Sequence, residues 1–112
     1  MLSPEAADLY RKLIKKYSGK TYLAFGGYMG MGSYHLGKGE FAEAAKFFAD
    51  AAARYPGHFN APAALTEAGR AYRKAGMVDL AKRSFRRVLS EYPKSRSATD
   101  VRTDLEELEF MP

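Results

Sequence analysis

Three features of this 112-residue chain carry the residue types that chemistry needs: two histidines, a glycine-rich run at residues 26–32, and nine basic side chains within residues 70–96. They suggest a general base, a phosphate cradle and an anion-binding surface. His35 and His58 stand 23 residues apart, and no serine–histidine–aspartate arrangement or metal cluster can be placed on one surface with them. The run Gly26-Gly27-Tyr28-Met29-Gly30-Met31-Gly32 has neither Gly-x-Gly-x-x-Gly spacing nor the Gly-Lys-Ser/Thr ending of a phosphate loop, and no strand precedes it. Glu106 and Glu107 are neighbours on a predicted helix, so they do not face each other as acid and base. The absence of cysteine excludes disulfides, thiolate metal sites and a thiol nucleophile. The expectation is a protein that is not an enzyme, with no catalytic residue, cofactor or metal.

The basic block is the feature left standing. Arg70, Arg73, Lys74, Lys82, Arg83, Arg86, Arg87, Lys94 and Arg96 are opposed there only by Asp79 and Glu91, a local charge of +7. Residues 100–112 carry Asp100, Asp104, Glu106, Glu107 and Glu109 against Arg102, a local charge of −4. The bland reading is a solvated helix surface. The functional readings are attraction of an acidic partner, or one copy's tail approaching another's basic surface.

What positions these residues is a repeat. Tyr55-Pro56 recurs 37 residues later as Tyr92-Pro93, and the same offset joins Gly32 to Gly69, Gly39 to Gly76, Ala44 to Ala81, Phe48 to Phe85 and Ala51 to Val88. Each unit reads as two helices. Leu23, Tyr28, Met31, His35 and Leu36 mark the first helix of one unit; Phe41, Ala44, Ala45, Phe48, Ala51 and Ala52 mark its second. In the next unit Leu65, Ala68, Gly69 and Tyr72 are followed by Leu80, Ala81, Phe85, Val88 and Leu89. Glycines break each pair in the middle and Tyr-Pro closes it, because proline lacks an amide donor and crowds the preceding turn. A glycine inside a helix costs about 1 kcal/mol relative to alanine, so Gly32 and Gly69 predict close helix contact. His35 occupies an aromatic core position, where a buried, hydrogen-bonded ring is expected. His58 sits beside Phe59 in a loop.

The flanks extend the pattern. Ser3-Pro4 reads as a helix cap with proline in the first turn, and Ala6, Tyr10 and Leu13 reproduce the apolar spacing of a second-type helix. The predicted organisation is therefore all-α, an antiparallel helix-pair solenoid of about six helices within one domain, 1–112. It comprises a second-type half repeat at 4–17, full repeats at 22–56 and 60–93, and a first-type half repeat at 99–110 with Leu105 and Leu108 on its apolar side. The extra residues of the long period are expected in loops around 58–61 and 95–98. Glu106 stands where the other units have glycine, as an end cap would.

These residues closely resemble tetratricopeptide repeats. The resemblance rests on Tyr28, Met31-Gly32 and His35, then Leu65, Ala68-Gly69 and Tyr72, in the first helices. In the second helices it rests on Ala44, Phe48, Ala51 and Pro56, then Ala81, Phe85, Val88 and Pro93. His35 departs from the usual tyrosine, Val88 from the usual alanine, and the period is longer than the family's. The Tyr-Pro phrasing with a longer loop is also similar to the tetratricopeptide domains of bacterial envelope proteins, among them the outer-membrane assembly lipoprotein and the TolA-binding cell-division coordinator.

The resemblance implies a protein-interaction module, adaptor or scaffold within a larger assembly, whose concave face is lined by the first helices. Projecting there would be Met29, Ser33 and Leu36, then Thr66, Arg70, Arg73 and Lys74, with Gly26, Gly27, Gly30, Gly32 and Gly37 leaving a smooth wall. Such a groove suits a protein or peptide partner with acidic and apolar features, because arginine pairs bidentately with carboxylates. Lys82, Arg83, Arg86 and Arg87 avoid the apolar stripe and form an outer basic face; nonspecific nucleic-acid binding through it is the weaker reading, with no recognition motif in support. The alternative is a self-associating scaffold, a homo-oligomer in which Phe110 and Met111 enter a neighbour's groove. The first residues, Met1 to Glu5, lack a secretory pattern and no transmembrane segment is present, so a cytoplasmic chain is expected; a periplasmic or envelope location is the expectation for a fragment of a longer precursor.

Overall fold

The computed structural model describes residues 3–110. They form six helices, α1 (Pro4–Lys16), α2 (Thr21–Gly37), α3 (Phe41–Arg54), α4 (Ala61–Lys74), α5 (Val78–Glu91) and α6 (Arg96–Glu109). No strand occurs among the described residues. Each helix packs mainly on its neighbours in the chain, and α4 also touches α6. The result is an all-α stack of antiparallel helix pairs with principal extents of 42 × 29 × 17 Å.

The glycines explain how the helices meet. Phe48 of α3 lies across α2 at Gly32, and Phe85 of α5 lies across α4 at Gly69. A β-carbon at either glycine would sit far inside van der Waals contact with the ring. Both phenylalanines are buried, as are Ala44, Ala45, Ala51 and Ala52 on α3 and Ala81 and Val88 on α5. Gly30 serves the same purpose toward α1, receiving the ring of Tyr10, while Gly27 abuts Ile14 and the Tyr10 carbonyl. Gly27, Gly30 and Gly32 are therefore packing surfaces rather than the groove wall the sequence suggested. Gly26 differs: a β-carbon there meets nothing within 4 Å.

Turns and caps repeat with the same period. Gly39 and Gly76 take φ of +77° and +79°, the left-handed conformation that favours glycine. At these helix ends the Glu40 amide donates to the His35 carbonyl and the Met77 amide to that of Tyr72, both at 2.9 Å. The Tyr-Pro signals have a structural use beyond ending a helix. The Tyr55 hydroxyl donates to the Ser18 carbonyl at 2.8 Å, and the Tyr92 hydroxyl to the Pro56 carbonyl at 2.7 Å. Each phenol ties one unit to the loop before it. Ser3 caps α1 as expected, its Oγ accepting from the Ala6 amide at 3.2 Å.

Three local expectations change. Ala7, not Ala6, is the buried alanine of α1, and it is one 37-residue offset before Ala44 and Ala81, all 0% exposed. This register puts Arg11, paired with Asp8 at 2.8 Å, where Phe48 and Phe85 stand in the full units. On α2, Leu23 faces solvent while Ala24 and Phe25 enter the core. The last helix starts at Arg96 instead of residue 99, because the Ser95 hydroxyl accepts from the Ala98 amide at 3.1 Å and caps it there. Its buried side is Ala98, Val101 and Leu108, with Leu105 half-buried.

The two classes of glycine should respond oppositely to alanine. Gly69→Ala is expected to destabilise by about 1–3 kcal/mol through overpacking against Phe85. Gly26→Ala is expected to stabilise by about 0.5–1 kcal/mol through helix propensity alone. Urea unfolding of both variants beside the parent measures the pair.

Candidate functional site

Tyr22, Gly26, Met29, Ser33 and Leu36 recur every three or four residues along α2 and so share one helix face. The 37-residue offset carries that stripe to Phe59, Ala63, Thr66, Arg70 and Arg73 beside α4, and to Arg96, Asp100, Thr103, Glu107 and Phe110 on α6. One end of this three-helix surface is charged. There, Leu36 of α2, Arg70, Arg73 and Lys74 of α4 and Asp104 of α6 line a cleft of about 560 Å³. Four of the seven residues predicted to meet a partner are thus gathered in one place. Met29 lines a separate cavity toward the other end, and Ser33 is exposed between them. Thr66 departs from expectation: it is buried, and its hydroxyl donates to the Pro62 carbonyl of its own helix at 2.9 Å.

The basic trio already has company. Arg70 donates to Asp104 at 3.1 Å and lies 3.7 Å from Glu67; Arg73 donates to Glu107 at 2.7 Å. The hydrogen bond that Arg70 donates to Asp104 raises the Arg70 pKa above its ordinary value, against a smaller opposing effect of burial. Lys74 places its ammonium 5.7 Å from the centre of the Phe41 ring, a cation–π contact. On the outer face, Arg86 and Lys82 reach Glu109 at 3.0 and 3.9 Å. Arg87 grips Glu91 through two bonds of 2.7 and 3.3 Å. Arg83 is exposed on this ridge. Within the chain, Asp104 and Glu107 of the acidic tail meet α4 and Glu109 meets α5. The signal was available: Asp104 and Glu107 each follow their arginine by 34 residues.

The opposite end is aromatic, and sequence reasoning missed most of it. The His58 ring stacks on Phe25 with centroids 3.8 Å apart and on Phe59 at 4.7 Å, while Tyr22 meets it edge-on at 5.2 Å. Tyr22 and Phe59 remain 73% and 70% exposed. They are 37 residues apart, so the offset that identified the core also marked this pair. His58 Nδ1 accepts the Asn60 amide at 3.0 Å, and burial pushes its pKa below the ordinary histidine value. His35 is half-buried, stacked on Phe47 and hydrogen-bonded through Nδ1 to Glu40 at 2.8 Å. That bond, more than nearby Lys38, lowers the Glu40 pKa. Phe110 is 88% exposed; Met111, named with it for self-association, lies outside the described residues. Among the described residues, no three potential metal ligands cluster and no helix is long and apolar enough to cross a membrane.

Helix pairs stacked by a ring-on-glycine contact, each breaking at a left-handed glycine, define a helix-pair solenoid of the protein-interaction class. Family models described as tetratricopeptide repeat match residues 3–59 and residues 63–95. The chain belongs to the tetratricopeptide repeat family, whose repeats are non-catalytic and generally mediate protein–protein interaction. No curated protein matches it.

Two measurements probe these charges. Joint replacement of Asp104→Asn and Glu107→Gln should cost about 0.5–1 kcal/mol at low salt, shrinking as salt rises, because Arg70, Arg73 and Glu107 are 31–53% exposed and only Asp104, at 15%, is largely covered. For His58 the folded pKa lies below an unfolded value of about 6.5, so the unfolded chain binds the extra proton first. Its contribution to stability is complete above that value and is lost as pH falls toward the folded pKa. Following denaturation midpoints from pH 7.5 to 5 should show this loss in the parent and not in His58→Phe.

Proposed function

We propose that the chain is an adaptor that receives a peptide or helix of a partner protein across the face of α2, α4 and α6, as part of a larger assembly. The observation that carries this reading is the charged cleft, where Leu36 forms an apolar wall opposite Arg70, Arg73 and Lys74. The carboxylates held by Arg70 and Arg73 come from α6; Glu107 is 53% exposed, so a partner's carboxylate can exchange with it at Arg73 at little net electrostatic cost, while Asp104, 15% exposed, stays with Arg70. The preferred partner segment is acidic beside an apolar residue. The module acts by binding and has no catalytic step.

Nucleic-acid binding is disfavoured by the pairing on the outer ridge, where Glu109 and Glu91 face Lys82, Arg86 and Arg87. Self-association retains one supporting observation, the exposed ring of Phe110.

The test is affinity capture from source cells with the intact protein beside Arg70→Ala/Arg73→Ala/Lys74→Ala, followed by titration of the captured partner. A loss of about tenfold or more in affinity is expected, the order of one charge-assisted hydrogen bond, with helicity unchanged by circular dichroism. Equal affinity of the two proteins would move the site to another face. Recovery of the chain alone, with a mass that grows with concentration and falls in Phe110→Ala, would favour the scaffold.

A further inference from the structure

Among the mid-helix glycines Gly26, Gly27, Gly30, Gly32 and Gly69, Gly26 is the one for which the fold has no use. The other four each receive a side chain or backbone from a neighbouring helix, whereas the space above Gly26 is open. The helix bears the propensity cost of a glycine there without an internal contact in return. What lies around it is a cavity of about 420 Å³ between α2 and the start of α4, with Tyr22, Phe25 and Met29 on one side and His58, Phe59 and Ala63 on the other.

The lining decides what can fill it. No Asp, Glu, Lys or Arg is among its residues, so nothing there balances a buried charge. The walls are ring faces and edges: Phe25, His58 and Phe59 form a stack, and Tyr22 closes its side. Met29 contributes a thioether, a favourable neighbour for an aromatic ring. Tyr22 and Phe59 touch the His58 ring yet hold most of their apolar surface in water at equivalent positions of successive units.

We propose that this cavity anchors an aromatic side chain of a bound peptide, seated against Tyr22 and Phe59, while the peptide backbone passes directly over Gly26. The proposal rests on the peptide-binding reading of this face and extends it from a charged contact to a two-point site. Gly26 lets the backbone approach closely; the rings supply offset and edge contacts to the inserted side chain. The charged cleft beyond Ser33 then takes the partner's carboxylate on the same helix face.

The glycine also supplies a test that spares the fold, since a β-carbon at position 26 meets nothing within 4 Å. The probe is the blocked peptide acetyl-Ala-Ala-Phe-Ala-Ala-amide, titrated into isotope-labelled protein and followed by amide NMR shifts. Saturable shifts at Gly26, Asn60 and Ala63 are expected with a Kd of about 1 mM, the range a single anchor gives. Replacing the central Phe by Lys should weaken binding at least about fivefold, as should Phe59→Ala in the protein. Gly26→Leu should abolish the shifts while helicity is retained. No shifts in this region, or unchanged binding by Gly26→Leu, would overturn the proposal. The captured partner separates this idea from the one beneath it. Loss by the basic triple variant but not by Gly26→Leu removes the anchor and keeps the charged groove. Loss by Gly26→Leu alone keeps the anchor and removes the role of the trio.

Discussion

A phenyl ring can lie across a helix only where that helix presents no side chain. Phe48 on Gly32 and Phe85 on Gly69 meet that condition, and the stack follows from it. The ring sets how closely the two helices of a unit approach, and the flanking alanines Ala44, Ala45 and Ala81 let the backbones stay close along the contact. Because the same contact is made twice at one offset, α2 and α4 stand side by side in matching orientation. Their equivalent residues then fall in rows. The face that carries Leu36, Arg70, Arg73 and Lys74 exists because two glycines are in register.

Charge is arranged in a second, softer layer over this packing. The chain carries a net +5, and its densest basic region is partly countered from within, by Asp104 and Glu107 toward α4 and by Glu109 toward α5. Apart from Asp104 and Lys82, which are 15% and 23% exposed, the partners are open to water, and such pairs are individually weak. On the proposed reading an incoming carboxylate has to displace one already present, so its geometry counts beside its charge.

Much of the fold was legible in the sequence because the repeat is recorded in glycine, phenylalanine and proline, residues whose backbone or volume demands leave few substitutes. The helix-pair order and the ring-on-glycine pairing could both be read from a shared offset. Register within the first helix was harder: the offset from Ala44 leads back to Ala7, but it also puts Arg11 where Phe48 stands, so the apolar spacing of Ala6, Tyr10 and Leu13 reads one residue early. Leu23 and Phe25 pose the same difficulty: two apolar residues near a helix start, of which one is turned inward by the neighbouring ring of His58. The site was legible in part. The basic trio stood out by charge density, but a linear charge count says nothing about which carboxylates lie across the next helix. The aromatic cavity was missed because Tyr22 and Phe59 occur at the edges of helices, where core periodicity gives no signal.

The tyrosine ties have a mechanical consequence. Both phenol-to-carbonyl bonds, Tyr55 to Ser18 and Tyr92 to Pro56, lie at the end of the stack that holds the aromatic cavity. At the other end, α4 and α6 are linked across the surface by ion pairs that ionic strength weakens. The two ends therefore answer salt unequally: the neutral phenol bonds keep their strength as ionic strength rises, while the arginine pairs weaken and leave buried Leu108 to hold α6 in the stack.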